Sequence, residues 1–214
     1  MNCISRGLRV LSILILALLL TGCGVTQLNA AGYVEGLLDE TYKGTWEDTY
    51  LTLVDLTGEE AAQSYRAGLE AEYQRFSGYF RLDKCAVSRQ TKEAFVEYLG
   101  QVYARSRYHV DHATRSESGA WLVEVTVQPI LTLAQLADRV PALRDAFNAL
   151  EDLDSAGREE TWARMVLEAC QSAQMEYGDE TTIAVRLVAD EDGYYSISAR
   201  DFYNLDALIL TYED

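Results

Sequence analysis

The chain has 214 residues, with 34 Asp and Glu against 18 Lys and Arg, for a formal charge of −16. Hydrophobic residues make up 49% and there are two prolines. That much apolar surface can offset the entropy of ordering, which excludes a disordered acidic tail. The acidity argues against a general nucleic-acid binder, because a phosphate backbone would be repelled.

Residues 1–22 read as a signal peptide. Arg6 and Arg9 form a basic start, Val10 to Leu20 is apolar apart from Ser12, and small residues follow. The apolar run is too short for the ~20 residues that span a bilayer. The ending Leu20-Thr21-Gly22-Cys23 fits the lipobox of bacterial lipoproteins. In that family a diacylglycerol joins the cysteine thiol and the peptide bond before it, here Gly22–Cys23, is cut. Removing 22 residues that hold two arginines and no acid turns 214 residues and −16 into 192 and −18. Residues 23–28 then form the lipidated cysteine and a short tether, and 29–214 are expected to form one domain. The tether Gly24–Leu28 spans under about 20 Å when extended, so the domain is held close to the membrane.

The remaining chain is read in order. Asn29 opens a helix to about Lys43, with Tyr33, Leu37 and Leu38 on one face, and Gly44 ends it. Thr57 caps a second helix with Glu60 as its capping-box partner. Its apolar positions Tyr65, Leu69, Tyr73, Phe76 and Phe80 recur at helical spacing. A third helix covers about Thr91–Ser106, with Phe95, Leu99 and Val102 on one side. Tyr108–Arg115 and Ala120–Gln128 flank a turn and read as a hairpin. In its second strand Trp121, Val123, Val125 and Val127 alternate with more polar neighbours. A fourth helix runs through Leu133, Leu136, Val140, Leu143, Phe147 and Leu150, and Pro141 is expected to kink or divide it. A fifth starts at Ser155 and reaches about Tyr177. Thr181–Ala189 and Tyr194–Ser198 form a second hairpin around Asp190-Glu191-Asp192-Gly193. A short last helix carries Phe202, Leu205 and Ile209. The order is three helices, hairpin, two helices, hairpin, helix. It predicts an α+β fold, with helices packed on a curved antiparallel sheet built from two hairpins.

The stretch Tyr33–Trp46, followed by Leu56-Thr57-Gly58-Glu59-Glu60-Ala61, resembles a group of small, uncharacterised lipoproteins of Gram-positive Firmicutes. The two hairpins and the closing Ile197-Ser198-Ala199-Arg200-Asp201-Phe202 fit the same group. The resemblance implies a cystatin-like or nuclear-transport-factor-like α+β unit. It implies no active site.

Candidate chemistry is sparse. His109 and His112 flank Asp111. On a strand His109 and Asp111 point one way and His112 the other, which is poor geometry for three metal ligands. Asp190-Glu191-Asp192-Gly193 faintly resembles a calcium loop, but its glycine is fourth and its twelfth position is Asp201. An Asp-Gly turn explains it better. Glu59/Glu60 and Glu159/Glu160 fall near helix starts, where negative charge is favoured without any catalytic role. Cys85 and Cys170 remain beyond the signal, and two independent thiols are favoured over a disulfide. Most of the fourteen tyrosines fall at core spacing, while Tyr194 and Tyr203 are candidates for exposure. No pattern calls for a cofactor.

The charge is uneven along the chain. Arg75 to Arg115 carries eight cations: Arg75, Arg81, Lys84, Arg89 and Lys92, then Arg105, Arg107 and Arg115. Only four acids accompany them, Asp83, Glu93, Glu97 and Asp111. Solvated helix faces explain this pattern. The sharper reading is a basic segment, Arg75 to Lys92, that faces the anionic membrane or a wall polymer. The expectation is a lipid-anchored, extracytoplasmic membrane protein. It binds another envelope component, a protein or a wall polymer, without catalysis. The alternative is a small-ligand or enzyme pocket between sheet and helices.

Overall fold

The computed structural model describes residues 27–150, 154–189 and 195–212. The signal segment, Cys23, the turn Asp190-Glu191-Asp192-Gly193 and Tyr194 lie outside the described residues.

Helix α1 (Gln27–Leu38) already includes Gln27 and Leu28, which the sequence assigned to the tether. It passes into a π-helical turn, Asp39–Lys43, closed by Gly44 at φ 62. Gly44 supplies the left-handed residue that ends a helix at least cost. The buried stripe is Ala30, Val34, Leu38 and Tyr42, all fully covered. Tyr33 and Leu37, expected on the core face, are only half-buried.

A short helix absent from the sequence reading, α2 (Asp48–Val54), folds back on α1. Tyr50 explains the docking. A Cβ on Gly36 would lie 2.2 Å from the Tyr50 ring, so only glycine admits it. The Tyr50 hydroxyl then donates to buried Glu40 at 2.7 Å.

The capping box forms at α3 (Gly58–Tyr79): Thr57 N–H donates to Glu60 at 2.8 Å, and Glu60 N–H donates to Thr57 Oγ1 at 3.2 Å. Leu69, Tyr73, Phe76 and Phe80 are buried as their spacing predicts. Helix α4 (Arg89–Tyr103) buries Phe95, Leu99 and Val102.

Strands β1 (Arg107–Arg115), β2 (Trp121–Gln128), β3 (Thr181–Ala189) and β4 (Tyr195–Ile197) form one antiparallel sheet in chain order. The two hairpins are joined by β2–β3 pairing, with Val125 opposite Ile183 and Val123 opposite Val185. Val110 faces Val125 but Ala113 faces Val123, so Asp111 and His112 together oppose Glu124. This bulge bends the sheet and returns Ala113 to the buried face. His112, within the bulge, is exposed.

Helix α5 (Thr132–Asn148) continues through Pro141, so of the kink or division expected there the division does not occur. Leu150, expected on its apolar stripe, lies beyond its end and is exposed. Helix α6 (Ser155–Ser172) stops five residues short of Tyr177. The chain beyond it is drawn to the segment after β2: Leu131 N–H donates to Glu176 O at 3.0 Å and Gly178 N–H to Pro129 O at 2.9 Å. Helix α7 (Ala199–Ile209), capped by Ser198, buries Leu205 and Ile209.

The architecture is α+β. Helices α1 and α7 cover the inner sheet face, where Val123, Val125, Val127, Val185 and Leu187 are fully buried. Helices α3 to α6 pack mainly on one another, and the π turn connects α3 and α4 to the sheet layer.

Candidate functional site

The most developed polar constellation lies where the two layers meet. Glu72 and Arg75 come from α3, Tyr42 from the π turn, Tyr103 from α4, and Asp206 from α7. Tyr212 comes from the segment after α7. Arg75 Nη1 donates to Asp206 Oδ2 at 2.7 Å, and its Nε lies 3.1 Å from Glu72 Oε2. The Tyr42 hydroxyl donates to Asp206 Oδ1 at 2.9 Å. Tyr212 donates to Glu72 and its ring lies under the Arg75 guanidinium, 4.9 Å from centroid to Cζ. Tyr79 donates to the Tyr212 carbonyl at 2.7 Å.

Two carboxylates share one guanidinium, and Glu72 is 6% exposed. Burial therefore pushes the Glu72 carboxyl up, against the lowering effect of Tyr212, Arg75 and Tyr103. Burial and the adjacent carboxylates push the Tyr42, Tyr103 and Tyr212 hydroxyls far up, so they stay neutral donors. Every member is engaged in holding another, although Arg75 Nη2 is buried without a partner. The arrangement is a clasp that joins α7 and the chain after it to α3. The sequence reading missed it. The available signal was an acid, Glu72, beside the apolar stripe of α3, with Arg75 three residues on and on the same side.

The clasp also corrects the proposed basic segment. Arg75 is not a free surface cation, because it is tied to Glu72 and Asp206. Arg81, Lys84 and Arg89 are exposed in or just after the α3–α4 turn, and the Lys92 ammonium lies 5.6 Å from the Tyr73 ring centroid. Arg105, Arg107 and Arg115 lie on or beside β1. Arg107 stacks on Tyr177 and Arg115 lies over Trp121.

The other singled-out residues have local partners. His109 Nε2 lies 3.3 Å from Asp111 Oδ1, so those two do point the same way. Glu60 serves its capping box and Glu59 is exposed. Glu159 and Glu160 serve a different helix from their own. Glu159 accepts from Ala86 N–H at 2.6 Å. Glu160 accepts from Ser88 N–H at 2.8 Å, Ser88 Oγ at 2.9 Å and Thr91 Oγ1 at 2.6 Å, at the start of α4. Burial opposes the Glu160 charge, but these donors and Arg164 outweigh it and hold the carboxyl at about 2. Asp201 accepts from Arg186 N–H at 3.0 Å. Cys85 is half-buried and Cys170 buried, and both are free thiols, as favoured. Tyr203 is 70% exposed.

A groove of about 520 Å³ opens between α3 and α4, lined by Leu69, Val96, Gly100 and Ala104 and bridged by Arg66 and Glu93 at 2.6 Å. It lies away from the sheet, not between sheet and helices. Among the described residues, no group of three or more His, Cys, Asp or Glu is placed to hold a metal ion. No described helix is long and apolar enough to cross a membrane.

The fold and clasp define an α+β protein with a four-stranded antiparallel sheet joined to a helical layer. No protein-family model and no curated protein sequence matches the chain. Among solved structures, the crystal structure of YcdA from Bacillus subtilis, assigned as a lipoprotein, superposes with a TM-score of 0.59 at 13% identity. The match covers 85% of this chain and 56% of YcdA, so the chain spans a little over half of that protein. At this identity the likeness establishes a shared fold.

Proposed function

We propose that this is a surface lipoprotein, anchored through a lipid on Cys23, whose α+β unit binds another envelope component without catalysis. The observation that carries the anchoring is Leu20-Thr21-Gly22-Cys23 standing four residues before α1 begins at Gln27. Four extended residues reach about 13 Å, so the folded part sits against the bilayer. The YcdA likeness agrees with this reading, since that protein is itself assigned as a lipoprotein. We read the α1–sheet unit as cystatin-like or nuclear-transport-factor-like, a helix lying along a bent antiparallel sheet.

The binding role is favoured over a sheet–helix pocket because the inner sheet positions are filled by fully buried valines and Leu187. A small-ligand reading draws support only from the open α3–α4 groove.

Metabolic labelling with a clickable palmitate analogue tests the anchor. The parent chain should be labelled and found in the membrane fraction, and Cys23→Ser should lose both properties. Equal labelling of Cys23→Ser, or an unlabelled parent, would sink the reading. Crosslinking in intact cells followed by capture, compared between parent and Cys23→Ser, tests the envelope partner. Thermal-shift screening against envelope metabolites tests the groove.

A further inference from the structure

We propose that the α3–α4 turn is a membrane-distal pole that binds a phosphodiester polyanion of the envelope. Its orientation rests on the anchoring at Cys23 proposed above.

The position follows from chain direction. The Tyr108 hydroxyl, near the start of β1, donates to Asp39 just after α1 at 2.6 Å. Helix α1 lies along β1, so it runs antiparallel to it and begins toward Arg115. The 12 residues of α1 carry that start about 18 Å from the end that meets Tyr108. Helix α4 ends at Tyr103, close to Arg107, and its 15 residues lead about 22 Å back to Arg89. Its main contacts are with α3, α6 and the π turn, not with α1 or α7. Tyr79, the last residue of α3, donates to the Tyr212 carbonyl, just past the bridge between Ile130 and Leu210 that follows the end of β2 beside Arg107. The α3–α4 turn therefore lies toward the sheet end where β1 starts, and the anchor side toward the other end. A short tether on Cys23 brings the hairpin end to the bilayer and points Arg81, Lys84 and Arg89 away from it.

The chemistry of the turn leaves its cations available. Arg81 is held at φ 57 above buried Leu82, with its side chain exposed. Lys84 and Arg89 are exposed as well. Among the described residues, no ion pair involves Arg81, Lys84 or Arg89. The acids nearby are Asp83, Glu93, Glu159 and Glu160. Glu93 pairs with Arg66, while Arg89 and Lys92 act on its charge without an ion-pair contact. Glu159 and Glu160 are occupied by the Ala86 and Ser88 amides, the Ser88 and Thr91 hydroxyls, and Arg164. Those two carboxylates are thus engaged by backbone and hydroxyl donors and by Arg164. Charges further than about 8 Å are largely screened at physiological salt, so the local set governs contact with a ligand despite the acidic remainder. Guanidinium groups bind phosphate bidentately, and a linear polymer can engage all three cations at once.

The test uses the full processed protein in non-ionic detergent, with fluorescent poly(glycerol phosphate) as probe and anisotropy as readout. The triple variant Arg81→Gln, Lys84→Gln, Arg89→Gln should bind on the order of tenfold or more weakly. The control triple Arg115→Gln, Arg186→Gln, Arg200→Gln, all exposed elsewhere, should stay within about twofold of the parent. A parent that does not bind, an unaffected first triple, or an equal loss in the control would overturn the proposal. In a second arm, Cys23→Ser protein is mixed with vesicles of phosphatidylglycerol and phosphatidylcholine. Vesicle binding that depends on Arg81, Lys84 and Arg89 would assign the pole to the bilayer and overturn the distal orientation. Cys23→Ser should still bind the polymer. An unlabelled parent that binds the polymer would overturn the anchor and the orientation but support the polyanion contact.

Discussion

Arg75 reaches Asp206 at 2.7 Å across 131 positions of sequence, and that contact ties the helical layer to α7. The same guanidinium holds Glu72, so one side chain balances two carboxylates at the layer junction. Its loss affects stability in a way its surface appearance in the sequence does not suggest.

Arg75→Leu should therefore destabilise the protein by about 2–3 kcal/mol. Breaking a fully buried pair costs about 3–5 kcal/mol, because the remaining charge is left uncompensated. The Arg75 side chain is 36% exposed, which lowers that figure through solvent screening. Arg75→Lys keeps the charge without the planar fork and should fall between variant and parent. Urea denaturation measures both, and an unchanged midpoint for Arg75→Leu would show that the clasp contributes nothing.

Two glutamates should give opposite dependences on pH. Glu160 titrates at about 2 in the folded protein and near ~4.3 when unfolded. Its stabilisation is thus complete above the unfolded value and is lost as pH falls through about 2. Glu160→Gln should flatten that acid limb. Burial raises the Glu72 carboxyl, so the native state takes up this proton more readily than the unfolded chain. Its contribution is greatest below the unfolded value and declines as pH rises through the folded one. The stability difference between Glu72→Gln and parent should shift in favour of the variant as pH rises from the unfolded value of about 4.3 through the raised folded one. Denaturant midpoints across pH check both signs, and a reversed slope for either residue would refute its assignment.

The two thiols should separate kinetically. Cys170 is 1% exposed and burial pushes its thiol up to about 12, whereas Cys85 is half-buried in a surface turn. Only the thiolate reacts. Iodoacetamide should therefore modify Cys85 in the native processed protein and reach Cys170 only on unfolding. Mass spectrometry of a labelling time course reads this directly. Equal rates, or an intramolecular crosslink between the two, would contradict it.

Arg81 sits at φ 57, where a Cβ is strained and glycine is not. Arg81→Gly should stabilise the folded protein by up to about 1 kcal/mol, provided backbone strain outweighs the added unfolded-state entropy. A thermal midpoint below that of the parent would show that the side chain matters more than the strain.

Much of the local structure was legible. The Thr57–Glu60 capping box, Gly44 as a helix stop and the alternation of Trp121–Gln128 each depend on residues within a few positions. Helix α2 was missed because Asp48–Val54 is short and its N-cap, Glu47, makes no capping bond. It is held from outside, by Tyr50 against Gly36 and Glu40. Pro141 signals a kink or a division, and α5 is not divided there. The bulge at Asp111–His112 was invisible because it is defined by the register with β2.

The sequence alone determined element types, the main apolar stripes, the α+β class and the lipobox motif. Those depend on helical and strand periods, caps and short motifs. Only the tertiary structure decided the register that joins β2 to β3, that Glu159 and Glu160 serve α4, and that Arg75 leaves the basic segment for the clasp. Each of those outcomes depends on partners distant in the chain, brought together by burial of the core. The free energy of a charged group is set by what surrounds it, and the sequence does not specify those surroundings until the chain has folded.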